Sequence, residues 1–233
     1  MRKVIFAATA IATGISPSFS QNSLINFNAR SLVVLSDADL SASTFSDGLL
    51  LRDATAKDRL TSVKFPVDRS NSIQSILVPN SAINYSKSIA VPSSGGLAFI
   101  IESKISPPEA VKEVKNLAAE NKGQRVYVTD IVNPVSPKLK FPFSIGNNPL
   151  SIDINKNELV ISTEEAGKKL NFLETDPEGK PTRLVNLPID TDSTQSLVDI
   201  SFHPSGDYVA ASLAPSGELV LYKIVRDNGK LKN

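Results

Sequence analysis

The stretch Phe202-His203-Pro204-Ser205-Gly206-Asp207-Tyr208-Val209-Ala210-Ala211-Ser212 reads as the end of one strand, a reversal and the start of the next. Pro fixes φ and Gly supplies positive φ where a chain must turn, so a Pro-Ser-Gly-Asp reversal has a mechanism behind it. Working outward, residues 197–202 and 219–224 supply the flanking strands and Ala214-Pro215-Ser216-Gly217 a second turn. The result is three sequential antiparallel strands. Similar phrases recur upstream. Residues 150–154, 159–163 and 170–174 form one copy, residues 88–91, 97–101 and 125–130 another, and Gly48-Leu49-Leu50-Leu51 with residues 59–65 a weaker one.

Taking Leu49, Leu97, Leu159 and Tyr208 as the starts of the second strands, the intervals are 48, 62 and 49 residues. The long interval carries an 18-residue insertion between the second and third strands of the copy that starts at Leu97. A fourth strand follows at residues 139–143 and 183–187, whereas the last copy has almost none after Leu231. Short strands recurring at about 40–50 residues in four-stranded antiparallel units are the pattern of a β-propeller. The expected fold is therefore all-β, with about four blades between residues 21 and 233.

Composition agrees with a folded chain and narrows its partners. The 233 residues carry a formal charge of +1, with 41% hydrophobic and 21% charged residues. No basic cluster stands beside aromatic residues, which argues against nucleic acid as a partner. Cysteine is absent, so there is no disulfide framework, no thiolate nucleophile and no cysteine-ligated zinc. Arg2 and Lys3, the mostly apolar run of residues 4–15 and the small residues of Ser16-Pro17-Ser18-Phe19-Ser20 have the order of a secretory signal. Residues 1–20 are read as that signal, which implies a secreted or periplasmic protein. The run is too short for a bilayer of about 30 Å, and no membrane span is expected.

The Pro-x-Gly turns, the Leu219-Val220-Leu221-Tyr222 strand and Val126-Tyr127-Val128-Thr129-Asp130 in a third strand resemble the YVTN-repeat and lactonase-like β-propellers of the secreted bacterial type. The resemblance covers roughly residues 40–231 and implies a ring of seven blades, of which this chain would hold part. Asn155-Lys156-Asn157 departs from it, lacking the Pro-Asp-Gly turn. An incomplete last blade leaves a sheet edge to be covered. Either residues 31–35 pair as the missing outer strand and close a four-bladed ring, or further blades complete a longer one. The resemblance favours the second.

In a propeller, the loops between blades and those between second and third strands share one face around the central channel. Here that loop face carries Asn84, Asn147, Asn148, Glu164, Asp192 and Gln195, and these are the candidate ligand-binding residues. Inside the insertion, Pro107-Pro108-Glu109 precedes Ala110, Val111, Val114, Leu117 and Ala118 at helical spacing, with Lys122-Gly123 as a stop, and predicts a short helix around residues 106–123.

No catalytic residue is assigned. His203, the only histidine, lies in a turn that points away from the loop face, and no nucleophile elbow or phosphate loop is present in residues 21–233. Asp37-x-Asp39-x-Ser41-x-Ser43 has alternating oxygens but Ala42 where a calcium loop needs Gly and Gly48 where it needs Glu. No cofactor is implied. A Ca²⁺ or other divalent ion at the channel mouth would require Asn147, Asn148, Glu164 and Asp192 to converge. The expected function is an exported binding or scaffold module for a protein, peptide or small molecule. The alternative is a lactonase-like hydrolase that opens a lactone ring at the channel mouth.

Overall fold

A computed structural model describes residues 29–38, 44–50, 57–68, 71–81, 87–116, 122–164, 169–189 and 195–232. The predicted signal, residues 1–20, lies outside them. The chain is nearly all β. The first sheet holds β1 (Ser31–Ser36), β2 (Arg59–Lys64) and β3 (Ile73–Leu77). The second holds β4 (Ile89–Ala90), β5 (Leu97–Lys104), β6 (Lys122–Asp130) and β7 (Lys138–Ser144). The third holds β8 (Pro149–Asn155), β9 (Glu158–Thr163), β10 (Lys169–Thr175) and β11 (Pro181–Pro188). The fourth holds β12 (Ser196–Phe202), β13 (Tyr208–Ala214) and β14 (Leu219–Lys223), and a small hairpin of β15 (Arg226–Asp227) and β16 (Lys230–Leu231) follows. Every pairing is antiparallel between sequence neighbours.

The sheets stack in chain order, each junction filled by its own apolar cluster. Leu60 and Val78 meet Ala98, Ile100 and Tyr127 between the first and second sheets. Phe99, Ile101 and Val128 meet Ile152, Leu159 and Ile161 between the second and third. Val160 and Phe172 meet Ile200, Phe202 and Val209 between the third and fourth, where the Phe172 and Phe202 rings sit edge to face at 6.0 Å. In β5, Ala98 and Ile100 therefore serve one junction and Phe99 and Ile101 the next. In β9, Val160 faces one way while Leu159 and Ile161 face the other. A strand buried on both faces needs a continuous apolar run, which is what 97–101 and 159–161 supply. β13 alternates buried with partly exposed residues, as a sheet covered on one face requires.

A polar seam joins the inner strands. Lys87 Nζ donates to Asp153 Oδ2 at 3.1 Å, to Ser201 Oγ at 2.8 Å and to the Ile200 carbonyl at 3.2 Å. Asp153 Oδ2 also accepts from the Phe202 amide at 2.7 Å. Ser151 Oγ donates to Asp199 Oδ1 at 2.8 Å and lies 3.3 Å from the Ile200 amide. Equivalent register shifts at Pro149/Ser151 and Leu197/Asp199 turn these side chains toward the neighbouring sheet, a common use of a bulge.

Two expectations are corrected, and the disfavoured closure by residues 31–35 is excluded. The strand that pairs with Arg59–Lys64 in the first sheet is Ser31–Ser36, not the stretch at Leu49, because Ser-Leu-Val-Val-Leu-Ser alternates and carries β-branched residues while the Gly48 region does not. The equal interval at Leu49 was a coincidence. For the same reason residues 31–35 belong to the first sheet and do not close a ring on the last one. The inserted loop is not helical in its described part: residues 105–116 are irregular, and Lys122 and Gly123 begin β6 instead of ending a helix.

Val114 and Leu50 are buried against each other, with Val111 beside them, so the apolar spacing serves a packing of two loops. Leu49 bridges Glu113, the Leu50 amide donates to the Lys112 carbonyl at 3.0 Å and the Val114 amide to the Gly48 carbonyl at 2.7 Å. α1 (Thr44–Asp47) is a single helical turn that leads into this contact. At the far end of the chain, Asn228 and Gly229, with φ of 49° and 78°, form the tight turn of the β15–β16 hairpin. Arg226 holds both carboxylate oxygens of Glu158, and Arg183 donates to the Leu231 carbonyl at 3.0 Å. Leu231 is thereby buried in the third junction.

Gly48 has φ +72°, and a Cβ there would stand 2.6 Å from the Val114 carbonyl oxygen. Gly48→Ala is expected to destabilise the protein by about 1–3 kcal/mol. Hydrogen exchange should quicken first at Leu50 and Val114, and an unchanged exchange pattern would contradict the loop pairing. Lys87→Ala is expected to cost about 1.5–3 kcal/mol, read as a lower Tm, because it strips a charged donor from Asp153.

Candidate functional site

The loop face gathers its polar groups where the second sheet meets the third. Gly123 opens β6 opposite a register shift at Glu102/Lys104, and a Cβ at Gly123 would stand 1.8 Å from the Glu102 carbonyl oxygen. Only glycine fits there. Its carbonyl accepts from the Asn148 amide at 2.8 Å and so fixes the linker that enters β8. Asn148 adopts φ +51°, a left-handed conformation that Asn tolerates better than most residues. The Glu164 amide donates to the Asn148 carbonyl at 3.1 Å, which brings the end of β9 alongside.

Side chains complete the cluster. Asn148 Nδ2 donates to Glu164 Oε2 at 2.6 Å, and Lys122 Nζ lies 2.8 Å from Glu164 Oε1. Gln124 Nε2 donates to Asn147 Oδ1. The hydrogen bonds from Lys122 and Asn148 hold the Glu164 carboxyl below the ordinary glutamate range, with a smaller contribution from the charge of Lys104. Glu164 is therefore a constant anion near neutral pH. Asn148 is 5% exposed, and its Oδ1 has no hydrogen-bond partner.

Of the six candidates, Asn147, Asn148 and Glu164 stand together. Gln195 does not join them; its Oε1 accepts from the Ser216 amide at 3.3 Å at the loop end of the fourth sheet. Asn84 and Asp192 lie outside the described residues. Lys122 and Gln124 were missed, since both were read as part of an insertion and not as the start of a strand. Lys87, just before β4, and the inner-strand residues Asp153, Asp199 and Ser201 were missed as well. Alternation in Ser151-Ile152-Asp153-Ile154 and Asp199-Ile200-Ser201-Phe202 was the available signal. His203 lies at the opposite end of its sheet, its Nδ1 3.0 Å from Ser205 Oγ.

The Glu164 cluster does not suit a divalent cation, because an ammonium and an amide NH₂ already occupy both carboxylate oxygens. Among the described residues, no group of three or more His, Cys, Asp or Glu side chains gathers at one point. No helix among them is long and apolar enough to cross a membrane.

No protein-family model matches this chain, and no curated protein does. Solved structures are similar in fold. A periplasmic gluconolactonase from Pseudomonas aeruginosa superposes with a TM-score of 0.50 at 9% identity, over 76% of this chain and 49% of that one. The fold is that of a β-propeller. A candidate 6-phosphogluconolactonase from Bacteroides fragilis gives 0.48 at 11% identity, over 84% and 49% of the two chains. A β-propeller domain from Myceliophteria thermophila gives 0.46 at 15%, over 79% and 53%. The propeller described here thus spans about half the length of these structures, and at such identities the likeness concerns fold alone.

The lowered Glu164 pKa has a consequence with a definite sign. Its contribution to stability is fully present above the ordinary value of 4.5 and is lost as pH falls through the lower folded value. Glu164→Gln is expected to remove that part of the acid dependence and to leave the stability at pH 7 within about 1 kcal/mol of the parent, since the ion pair is exposed. Acid-denaturation profiles of the two proteins that superpose below pH 4.5 would contradict the Lys122–Asn148 clamp.

Proposed function

We propose that this chain is an exported β-propeller of the YVTN-repeat, lactonase-like kind whose loop face binds a protein, peptide or small molecule without covalent chemistry. The observation that carries the reading is the buried, unpartnered Oδ1 of Asn148 beside Lys122 and Glu164. A buried acceptor left unpaired costs about 1–3 kcal/mol. A bound hydroxyl or amide N–H would recover it. The half-exposed Lys122–Glu164 pair adds little stability of its own, so fixing it in place serves recognition better than folding. The favoured ligand offers a hydrogen-bond donor to Asn148 and a polar or anionic group to Lys122, as polyhydroxy acids and peptides do.

Hydrolysis is the weaker reading. A carboxylate clamped by an ammonium and an amide is a poor general base, and no second acid or nucleophile stands against it among the described residues. The likeness to a gluconolactonase makes lactones the first compounds to test as ligands and as substrates.

Calorimetric titration with aldonic acids, their lactones and short peptides is expected to find binding that Asn148→Gly weakens at least about tenfold, the worth of one hydrogen bond. Because glycine accepts a positive φ, this variant should fold as well as the parent. Turnover of a lactone that disappears in Glu164→Ala would overturn the binding reading in favour of the hydrolase. Export is checked by N-terminal sequencing of the protein recovered outside the cytoplasm, with a new terminus expected at Gln21.

A further inference from the structure

At the opposite end of the sheets from the Asn148 cluster, a cavity of about 570 Å³ opens between the second sheet and the third. Its size is that of a small-ligand pocket, roughly 300–1,000 Å³. Leu97, Phe99 and Ile154 give it apolar surface, and turns from both sheets form its rim. The turn of residues 176–179 is pressed onto the second sheet: a Cβ on Gly179, whose φ is +86°, would stand 2.8 Å from Val128 Cγ1 and 3.2 Å from Leu97 Cδ1.

The next junction shows how the chain fills the same corner. Glu158 begins β9 as Leu97 begins β5, and two residues further on Val160 and Phe99 each face the sheet that follows. Glu158 stands opposite Glu174, and Leu97 opposite Asp130. Between the third and fourth sheets both carboxylates are held by cations: Arg226 grips Glu158, and Arg183 Nη1 donates to Glu174 Oε1 at 3.0 Å. Lys223, opposite Tyr208, is the equivalent of Glu174 in the fourth sheet, and Arg226 follows it by three residues. Three residues after Glu174 the third sheet has Pro177, which lines the cavity.

Proline therefore stands where an arginine fills the neighbouring corner, and Asp130 is left without a cation. Its Oδ1 accepts from the Val132 amide at 2.9 Å. Lys138 is its neighbour in register, yet no ion pair joins the two among the described residues, and Lys140 is paired with Glu178 at 2.5 Å. The cavity is lined by three carboxylates, Asp130, Asp176 and Glu178, against two ammonium groups, Lys140 and Lys156. Lys156 is exposed on its turn, whereas Asp130 and Asp176 are half-buried. The uncompensated charge is negative, beside an apolar floor.

We propose that this cavity binds a guanidinium or ammonium group carried on an apolar stem, as in an arginine side chain, with Asp130 as its counter-ion and Leu97 and Phe99 against the stem. Such a ligand completes this corner as Arg226 completes the next. A small organic cation and an arginine within a peptide share the required chemistry. The site is separate from the one proposed on the loop face.

Calorimetric titration with n-butylguanidinium and with acetyl-Leu-Arg-Leu-amide distinguishes the two sources, and binding of either is the expected result. Asp130→Asn keeps an oxygen for the Val132 amide and should fold as the parent does, yet weaken binding at least about tenfold, the loss of one charged hydrogen bond. Asn148→Gly should leave it unchanged. The same peptide with norleucine in place of arginine is expected not to bind the parent protein. Absence of binding by both cations, equal affinity for the norleucine peptide, or full affinity in Asp130→Asn overturns the proposal.

Discussion

The structure depends on the need of each sheet to hide two apolar faces. A four-stranded antiparallel sheet cannot do this alone, and here the second and third sheets do it by standing between neighbours. Leu60, Phe99, Leu159 and Val160 are completely or almost completely buried, and each belongs to a strand near the middle of its sheet. Burial of one such side chain contributes roughly 1.5–3 kcal/mol. Three junctions of this kind supply the stability that disulfides provide in many small domains, since this chain has no cysteine.

Apolar stacking is tolerant of sliding and tilt, so polar contacts must set the register between sheets. The seam from Lys87 through Asp153 to Ser201 and the Phe202 amide ties the segment that enters β4 to the inner strands β8 and β12. At the opposite edge, Arg226 and Glu158 tie the terminal hairpin to the third sheet, and their hydrogen bond raises the guanidinium pKa further. Loop-face geometry follows from the same devices. Gly123 allows two strands to approach where a side chain would collide, and the linker it anchors holds Asn148 in a left-handed conformation beside Glu164.

Much of this was legible along the chain. Turn chemistry at Pro204-Ser205-Gly206-Asp207 and at Ala214-Pro215-Ser216-Gly217 located reversals correctly, because Gly206 and Gly217 do adopt positive φ. The first sheet was harder to read. Leu49, Leu50 and Leu51 look like a strand core, yet Leu49 and Leu50 pair with an inserted loop from the next sheet, a partner more than 60 residues away. The helical spacing at Val111 and Val114 misled for the same reason: two apolar residues three apart can meet a neighbouring loop as readily as a helix face.

By itself, the amino-acid sequence determined most strands from Leu97 onward, where they reverse and that they repeat, because these properties depend on φ preferences and on apolar periodicity within a few residues. It also put Asn147, Asn148 and Glu164 at one end of their strands. Only the tertiary structure decided that Lys122 and Gln124 join them while Gln195 does not, since that depends on a register shift and a close backbone approach at Gly123. Likewise, which faces lie between sheets and which stand uncovered is a property of stacking order, and no local pattern encodes it.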